Sequence, residues 1–269
     1  METPFPPFDP DGDEEQQELT SDTPVRLRDI PLRTIFPNLL TLLAICSGLT
    51  SIRFAIEGRI ELAVAAIIFA GFLDGIDGRV ARFLKSTSRF GAEMDSLADF
   101  VNFGVAPAML LYFTLLHEVR SFGWIAALIY AICACLRLAR FNVMLDNPNQ
   151  PEWRTRFFTG VPAPAGAVIS LLPIYLLLLG VDIPSGIWTV YTLVCGFLMV
   201  SNLPTFSGKD FGKLRRDMVL PFLILAVFLA AAVISYPWTT FTIFAVLYLL
   251  SLPVSRIKYS RLNNTVDTA

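Results

Sequence analysis

Four aspartates lie in one short segment between two long apolar stretches of the chain. They are Asp74, Asp77, Asp95 and Asp99, all within residues 73–99. An ionised aspartate at the centre of a membrane helix costs about 2.5–3.5 kcal/mol on insertion scales, and such residues usually have a function. Because 54% of the chain is hydrophobic, we expect these carboxylates to bind something that offsets their charge.

The spacing of the polar and small residues in this segment predicts two helix faces. Residues at i, i+3, i+4 and i+7, or at i, i+4 and i+8, lie on one side of a helix. A short polar turn, KSTSR at residues 85–89, separates the two helices, so we expect them to be antiparallel neighbours. Both aspartate pairs would then point to one place. The first face carries Asp74, Asp77, Gly78 and Ala81, and the second carries Gly91, Asp95 and Asp99.

Four carboxylates at one place would repel one another, and hard divalent cations with oxygen ligands remove that repulsion. Two such ions about 3.5–4 Å apart are a recurring arrangement for displacement at phosphorus. Gly78 and Ala81 leave room for a flat or phosphorylated ligand, and the Arg82 guanidinium fits phosphate oxygens. The structural alternative is a buried ion network in which the aspartates pair with Arg79, Arg82 and Arg89. Small residues between acids on matched faces favour the ligand site.

The elements that must position these residues are long apolar helices. Windows of about 20 apolar residues, the length that crosses a bilayer, recur along a chain whose mean hydropathy is +0.59. We predict an all-α integral membrane protein, a polytopic bundle of about eight transmembrane helices with a short interfacial N-terminal segment. The predicted helices cover residues 38–57, 60–83, 92–116, 122–145, 163–180, 186–203, 217–235 and 238–255.

Charge and composition divide the chain further. Residues 1–24 contain eight of the 23 acidic residues and no basic one, which predicts a disordered acidic tail. Residues 25–36 mix arginine with isoleucine and leucine and are predicted to form a juxtamembrane amphipathic segment, with a charged flank that only sets orientation as the alternative. The transmembrane domain would then span residues 37–255, and residues 256–269 would form a cytoplasmic C-terminal tail.

Basic residues alternate between the predicted loops. They precede the first helix, surround the aspartate-rich turn and follow the fourth, sixth and eighth helices, whereas the connection GVDIPSG, residues 180–186, has none. The positive-inside rule therefore places both termini and the aspartate-rich turn in the cytoplasm. We expect a multi-pass protein of the cell (inner) membrane with its site facing the cytoplasm, and no nucleic-acid partner.

The ordered pattern Asp74-x2-Asp77-Gly78-x2-Ala81-Arg82-x8-Gly91-x3-Asp95-x3-Asp99 resembles, at every defined position, the signature of the CDP-alcohol phosphatidyltransferase family. The resemblance implies an integral membrane enzyme that moves a phosphatidyl or similar group from a CDP-activated lipid to an alcohol and releases CMP. It implies divalent metal ions, two of them and either Mg²⁺ or Mn²⁺, and it suggests a homodimer.

The resemblance also implies roles for the eight residues of the pattern. Asp74, Asp77 and Asp95 would be metal ligands, and Asp99 would be both a ligand and the general base. The CDP-lipid site would be formed by Asp77, Gly78, Ala81, Arg82 and Gly91, with Gly91 allowing close approach of the third helix.

Three flanking segments resemble the bacterial membrane-type phosphatidylserine synthases of this family. They are SRFGAEMDSLADFVNFGVAPA, RLARFN and FFTGVPAPAGA, beginning at residues 88, 137 and 157. This similarity implies CDP-diacylglycerol and serine as substrates. Serine needs a cation for its carboxylate, for which Arg140 is the first candidate. Arg137, Asn142 and Thr159 complete the candidate serine site, although both arginines could instead be positive-inside anchors.

Two other functions stay open. The first is a sibling transferase of the same family that uses choline or another small alcohol. The second is an ion-coupled transporter, which would be expected to have broken helices and an internal repeat at matching positions. Residues 120–269 contain no second copy of the aspartate pattern, which counts against a transporter.

Overall fold

Helices make up most of the chain that this computed structural model describes, namely residues 32–86, 88–145, 157–206 and 218–267. The predicted tail at residues 1–24 lies outside these ranges, as does most of the predicted segment 25–36. The elements in chain order are α1 (Leu32–Ile56), α2 (Ile60–Phe83), α3 (Arg89–Asp99), a π-helical segment (Phe100–Val105), α4 (Ala106–Thr114), a 3₁₀ turn (Leu116–Val119), α5 (Ser121–Leu145), β1 (Phe157–Thr159), α6 (Ala163–Ser170), α7 (Leu172–Leu178), α8 (Ser185–Val200), β2 (Pro204–Phe206), α9 (Val219–Ser235) and α10 (Pro237–Asp267).

Each of the eight predicted helical segments coincides with a helix or with consecutive helices. Within the described ranges, four segments are long and apolar enough to cross a membrane: Ile35–Ile56, Arg89–Thr114, Ser121–Met144 and Pro237–Tyr259. The apolar helices in residues 163–178, 185–200 and 219–235 have at most 17 residues. At 1.5 Å per residue that is about 26 Å, less than the hydrocarbon core of about 30 Å. These lengths support an all-α membrane protein. They do not by themselves support the predicted count of eight spans.

The segment predicted as one helix over residues 92–116 changes its winding directly after Asp99. α3 ends there, and the π-helical segment follows before α4 begins. Pro107 has no N–H, so it cannot donate the α-helical hydrogen bond to the carbonyl of Phe103. The hydroxyl of Tyr130 on α5 donates to that carbonyl instead, at 3.1 Å. The wider turn therefore results from a local proline and is stabilised by a distant tyrosine.

The helix predicted at residues 163–180 is divided in the same way. Pro173 cannot donate to the carbonyl of Ile169, and the hydroxyl of Tyr191 on α8 donates to it at 2.6 Å. α6 accordingly ends at Ser170, and α7 begins at Leu172. In both interruptions, a tyrosine from another helix donates to the carbonyl to which a proline cannot donate, although the carbonyl of Ile169 also accepts a backbone N–H at the end of α6.

A two-stranded antiparallel sheet, which the sequence did not predict, joins two connections that are far apart along the chain. β1 pairs with β2, with Thr159 opposite Pro204. The turn after β1 contains Gly160 at φ +79°, a backbone conformation that glycine adopts without steric penalty. The N–H of Gly160 donates to the carbonyl of Leu203 at 2.8 Å.

The helices around the aspartates form one packed group. α1 packs along α2 and also contacts α3, the π-helical segment and α4. Close approach depends on glycines: a Cβ on Gly71 would lie 3.3 Å from the Phe103 ring. On the other side of the fold, α5 packs against α8, and α10 contacts α7, α6 and β2. α9 has no buried residue, and its exposed apolar side chains suit contact with lipid.

Candidate functional site

A cavity of about 300 Å³ lies between the N-terminal part of α1, the C-terminal part of α2 and the start of α3. It is bordered by the residues that join α2 to α3, including Ser86 and Ser88. The sequence pattern contributes six of its lining residues, which are Asp77, Gly78, Ala81, Arg82, Gly91 and Asp95. The structure thus brings the residues assigned to the CDP-lipid site to one cavity.

Asp77 is the most enclosed carboxylate at this cavity, with 3% of its surface exposed. Its Oδ2 accepts a hydrogen bond of 2.7 Å from the Thr41 hydroxyl, and its Oδ1 accepts one from the N–H of Gly78. Both donors are neutral, so the negative charge of Asp77 is left for a ligand. The neighbouring Arg82 is exposed and donates from Nε to the carbonyl of Gly78 at 3.1 Å.

The two remaining residues of the pattern, Asp74 and Asp99, lie one helical turn further from the α2–α3 connection than Asp77 and Asp95 do. Their carboxyl groups lie close to each other. Each also has a buried Oδ1 for which the described residues supply no hydrogen-bond partner. The carboxylate of Asp95 is close enough to those of Asp77 and Asp74 for mutual repulsion. The four acids therefore form one electrostatic group in two layers. Asp77 and Asp95 lie nearer the α2–α3 connection, and Asp74 and Asp99 lie one helical turn further from it.

The structural alternative of an ion network is not what the described residues form. The ion pairs among them join Glu57 to Arg53 and Arg59 at the far end of α1 and leave the four aspartates without a paired arginine. An uncompensated group of buried carboxylates is unfavourable unless something positive is bound to it. The described residues thus give these carboxylates no close arginine pair, and the charge of Arg137 acts on Asp99 from a longer distance, which favours a ligand site.

The fit of these residues to a divalent cation can be judged from their atoms. In the part of the chain that the structure describes, no three His, Cys, Asp or Glu side chains form a ready-made metal cluster. The donors are nevertheless all carboxylate oxygens, and two of those oxygens, on Asp74 and Asp99, are buried without a hydrogen-bond partner. Hard cations such as Mg²⁺ and Mn²⁺ prefer such donors. The residues present therefore fit a divalent cation.

The start of α3 is set by Ser88 and Gly91. The Ser88 hydroxyl caps the helix by accepting a hydrogen bond of 3.0 Å from the N–H of Gly91. A Cβ on Gly91 would lie 3.2 Å from Asn38 Oδ1 and from Ser88 Oγ. Glycine therefore lets α3 approach α1 closely, which is the role expected for Gly91 from the sequence. Because Ser88 caps it, α3 begins at Arg89, earlier than the predicted residue 92.

The candidate serine-site residues on α5 make two kinds of contact. The two terminal nitrogens of Arg140 donate to four oxygens at 2.9–3.1 Å: the carbonyls of Thr159, Val200 and Ser201 and the Asn202 Oδ1. Arg140 thereby joins the end of β1 to the end of α8. Thr159 is brought to Arg140 through its backbone carbonyl and lies in β1.

Arg137 and Asn142 extend from α5 toward the aspartates. Arg137 is 5% exposed, donates from Nε to the carbonyl of Val161 at 3.0 Å and interacts electrostatically with Asp99. Asn142 donates from Nδ2 to Ser96 Oγ at 3.0 Å, and Ser96 directly follows Asp95 on α3. These two residues therefore connect α5 to the acidic group, whereas Arg140 faces the sheet.

Two polar residues near the acids were not among the candidates. Thr41 hydrogen-bonds Asp77 from α1, and the segment PNLLT that contains it also supplies Asn38 and Pro37 to the cavity. Asn102, one turn after Asp99, is 0% exposed, and both polar atoms of its side chain have no hydrogen-bond partner among the described residues. A polar residue three positions after Asp99 was the available signal for Asn102.

Comparison with known proteins places this geometry in a family context. The sequence matches the profile of the CDP-alcohol phosphatidyltransferase family over residues 34–200 and that of CDP-alcohol phosphatidyltransferase 2 over residues 217–253. It is 44% identical over 224 residues to the CDP-diacylglycerol–serine O-phosphatidyltransferase of Mycobacterium leprae, covering 81% of this chain and 73% of that protein.

More distant relatives carry the same name. The Helicobacter pylori protein is 34% identical over 221 residues, covering 80% of this chain and 88% of that protein. The Methanocaldococcus jannaschii protein is 33% identical over 204 residues, with 73% and 82% covered. The family match over residues 34–200 spans the aspartate pattern, the residues that line the cavity and α5.

Proposed function

The chain belongs to the CDP-alcohol phosphatidyltransferase family, and on that premise we propose that it transfers the phosphatidyl group of CDP-diacylglycerol to the hydroxyl of L-serine. The products would be phosphatidylserine and CMP. Relatives from bacteria and an archaeon that bear the name of this activity support the choice of serine. A membrane protein of this kind can receive a lipid substrate from the bilayer and serine from water.

One observation supports the proposal above the others: the cavity that contains Asp77, Gly78, Ala81, Arg82, Gly91 and Asp95 adjoins the buried pair Asp74 and Asp99. Such a site has room for a nucleotide diphosphate beside a group that can accept a proton. The small side chains of Gly78 and Ala81 allow the ligand to approach α2. The exposed guanidinium of Arg82 is suited to phosphate oxygens.

The proposed chemistry is a displacement at the phosphorus that carries diacylglycerol. The serine oxygen forms a bond to this phosphorus, the bond from the phosphorus to the CMP oxygen breaks, and CMP leaves with the electron pair. The proton of the serine hydroxyl passes to the Asp99 carboxylate, which acts as general base. Positioning and electrostatic stabilisation are sufficient for such a transfer, so no covalent intermediate on the protein is needed.

We propose that Asp74, Asp77, Asp95 and Asp99 hold two divalent cations, either Mg²⁺ or Mn²⁺. Members of the family generally use a divalent metal. Bound at these carboxylates, the cations would neutralise the diphosphate and the charge that develops on CMP. By holding the cations, Asp74, Asp77 and Asp95 would set the place of the diphosphate relative to Asp99, which is the protein's part in positioning.

The serine carboxylate is proposed to bind near α5, where Arg137, Arg140, Asn142 and Thr159 are the candidates. Their contacts suggest a division of work. The buried charge of Arg137 interacts with Asp99, so Arg137 is placed to attract serine toward the base. Arg140 uses its terminal nitrogens on four protein oxygens and would act by holding β1 beside this place.

The membrane arrangement is proposed in its finer form as well. We propose eight spans, with both termini and the site on the cytoplasmic side of the cell membrane, and a homodimer as the assembled form. The basic loops support the orientation, and the eight apolar segments of the sequence are the basis for the proposed count. Single cysteines placed in the loops at residues 57–59 and 180–184 should react with an impermeant thiol reagent from outside intact cells.

The decisive experiment supplies purified protein with CDP-diacylglycerol, labelled serine and Mg²⁺ or Mn²⁺. We expect labelled lipid and an equal amount of CMP, and no product after chelation of the metal. CMP release with choline or another small alcohol, but not with serine, would favour the sibling transferase. Solute flux into vesicles without CMP formation would favour the ion-coupled transporter.

A further inference from the structure

Among the described residues, Thr41 on α1 is the one that joins the acidic group to a helix other than α2 and α3 by a side-chain hydrogen bond to an aspartate. Its side chain is buried, with 4% of the residue exposed, and Asp77 is equally enclosed. The two residues are 36 positions apart in the sequence. Thr41 also borders the cavity that contains Asp77. None of the roles proposed above uses this residue.

The direction of this hydrogen bond follows from its atoms. The Thr41 hydroxyl has a single proton and two acceptors within reach, Asp77 Oδ2 at 2.7 Å and the carbonyl of Pro37 at 3.2 Å. The carboxylate is nearer and charged, so it is the stronger acceptor. The hydroxyl therefore donates its proton to Asp77 in preference to the carbonyl of Pro37.

This contact constrains how Asp77 can bind a ligand. With Oδ2 held from α1 and Oδ1 held by the N–H of Gly78, the carboxylate cannot rotate freely. A ligand must then use the remaining lone pairs of a carboxylate whose plane is already set. Residues that orient a metal-binding side chain in this way typically change metal affinity or activity by about 10–100-fold when they are lost.

We propose that Thr41 is a positioning residue for divalent-cation binding at Asp77, acting through its hydroxyl and not through direct contact with substrate. The inference rests on the proposed function, because it needs Asp77 to hold a cation. It also gives α1 a part in the site: the helix supplies the donor that orients one carboxylate of α2.

The test compares three variants by direct metal binding. Thr41→Val keeps the volume and removes the hydroxyl, Thr41→Ser keeps the hydroxyl, and Thr50→Val is the matched control on the same helix. The Thr50 hydroxyl also donates to the carbonyl four residues earlier, that of Cys46, but it is exposed and distant from the aspartates. Mn²⁺ affinity is measured by electron paramagnetic resonance in detergent without substrates, and CMP release is measured as a function of Mn²⁺.

We expect Thr41→Val to weaken Mn²⁺ binding by about 10–100-fold and to raise the Mn²⁺ concentration for half-maximal CMP release by a similar factor. At saturating Mn²⁺, most of the turnover should return. Thr41→Ser and Thr50→Val should both bind Mn²⁺ like the unmodified protein. This pattern separates positioning from a purely structural role, which would lower thermal stability without changing affinity.

The outcomes distinguish this inference from the proposed function. If the unmodified protein neither binds Mn²⁺ nor releases CMP with serine, the proposed function fails. If it does both and Thr41→Val binds Mn²⁺ equally well, the role of Thr41 is refuted. Thr41→Ala serves as a second variant without the hydroxyl. Should both hydroxyl-free variants fail to fold while Thr41→Ser folds, Thr41 would be a stability residue and the inference would also be overturned.

Discussion

The hydroxyl of Tyr130 on α5 donates a hydrogen bond of 3.1 Å to the carbonyl of Phe103, four residues after Asp99. Tyr130 is 0% exposed, and its oxygen also accepts a hydrogen bond from the Ser170 hydroxyl on α6. The α-helical donor to the carbonyl of Phe103 would be residue 107, which is a proline without an N–H. Helices α5 and α6 thus meet at the π-helical segment that follows the proposed base.

Tyr130→Phe tests this arrangement. The substitution keeps the ring but removes the Tyr130 hydrogen bond to a buried carbonyl, which we expect to lower the free energy of unfolding by about 1–3 kcal/mol. The measurement is thermal unfolding in detergent. Tyr112→Phe is the control, because the Tyr112 ring retains its edge contacts with Phe113 and Trp124. Equal stability of the two variants would contradict the role given to the Tyr130 hydroxyl.

Asp99→Asn tests the proposed general base. The amide has nearly the same size as the carboxylate but cannot take the proton of serine, so we expect CMP release to fall by at least about 100-fold. Binding of CDP-diacylglycerol, measured separately, should stay largely intact. Asp182→Asn, in the exposed connection between α7 and α8, is the control and should retain turnover. Substantial turnover by Asp99→Asn would exclude Asp99 as the base.

Gly48→Ala tests the close contact between α1 and the π-helical segment. A Cβ at residue 48 would overlap the side chain of Asn102, which is fully enclosed. We expect overpacking to destabilise the protein by about 1–3 kcal/mol and to reduce turnover, since Asn102 lies one turn from Asp99. Gly186→Ala on α8 is the matched control, because a Cβ there meets nothing within 4 Å. Thermal unfolding and CMP release of both variants provide the comparison.

Arg140→Lys distinguishes a structural role from direct serine binding. Lysine keeps the charge but cannot hydrogen-bond the carbonyls of Thr159 and Val200 together with the Asn202 side chain, as the planar guanidinium does. We therefore expect a lower unfolding temperature and a change in the KM for serine of less than about threefold. Arg53→Lys, whose exposed partner is Glu57, should change neither quantity.

If the KM for serine rises tenfold or more in Arg140→Lys while the unfolding temperature is unchanged, Arg140 would bind serine directly. In that case the hydrogen bonds to the ends of β1 and α8 would have to open when serine binds. Arg137, which interacts electrostatically with Asp99, would then bind the carboxylate of serine together with Arg140.

The positions of the helices and the two aspartate-bearing faces of α2 and α3 could be predicted from local sequence. Apolar length predicted the helices, and the 3.6-residue repeat placed Asp74 with Asp77 and Asp95 with Asp99. The polar turn between α2 and α3 predicted that both pairs lie at one end of these helices. The pattern was complete enough to indicate the family, which the comparisons confirmed. These properties are readable because they depend on residues within a few turns of each other.

The tertiary structure alone decided which distant residues complete the site. Thr41 meets Asp77 across 36 positions, and Arg140 meets Asn202 across 62. The π-helical turn after Asp99 is followed by Pro107, and Tyr130 from α5 donates to the carbonyl of Phe103, which Pro107 cannot serve. A hydrogen bond requires two atoms within about 3 Å, and helical periodicity specifies only the face on which each atom lies. The packing of one helix on another supplies the remaining distance and rotation.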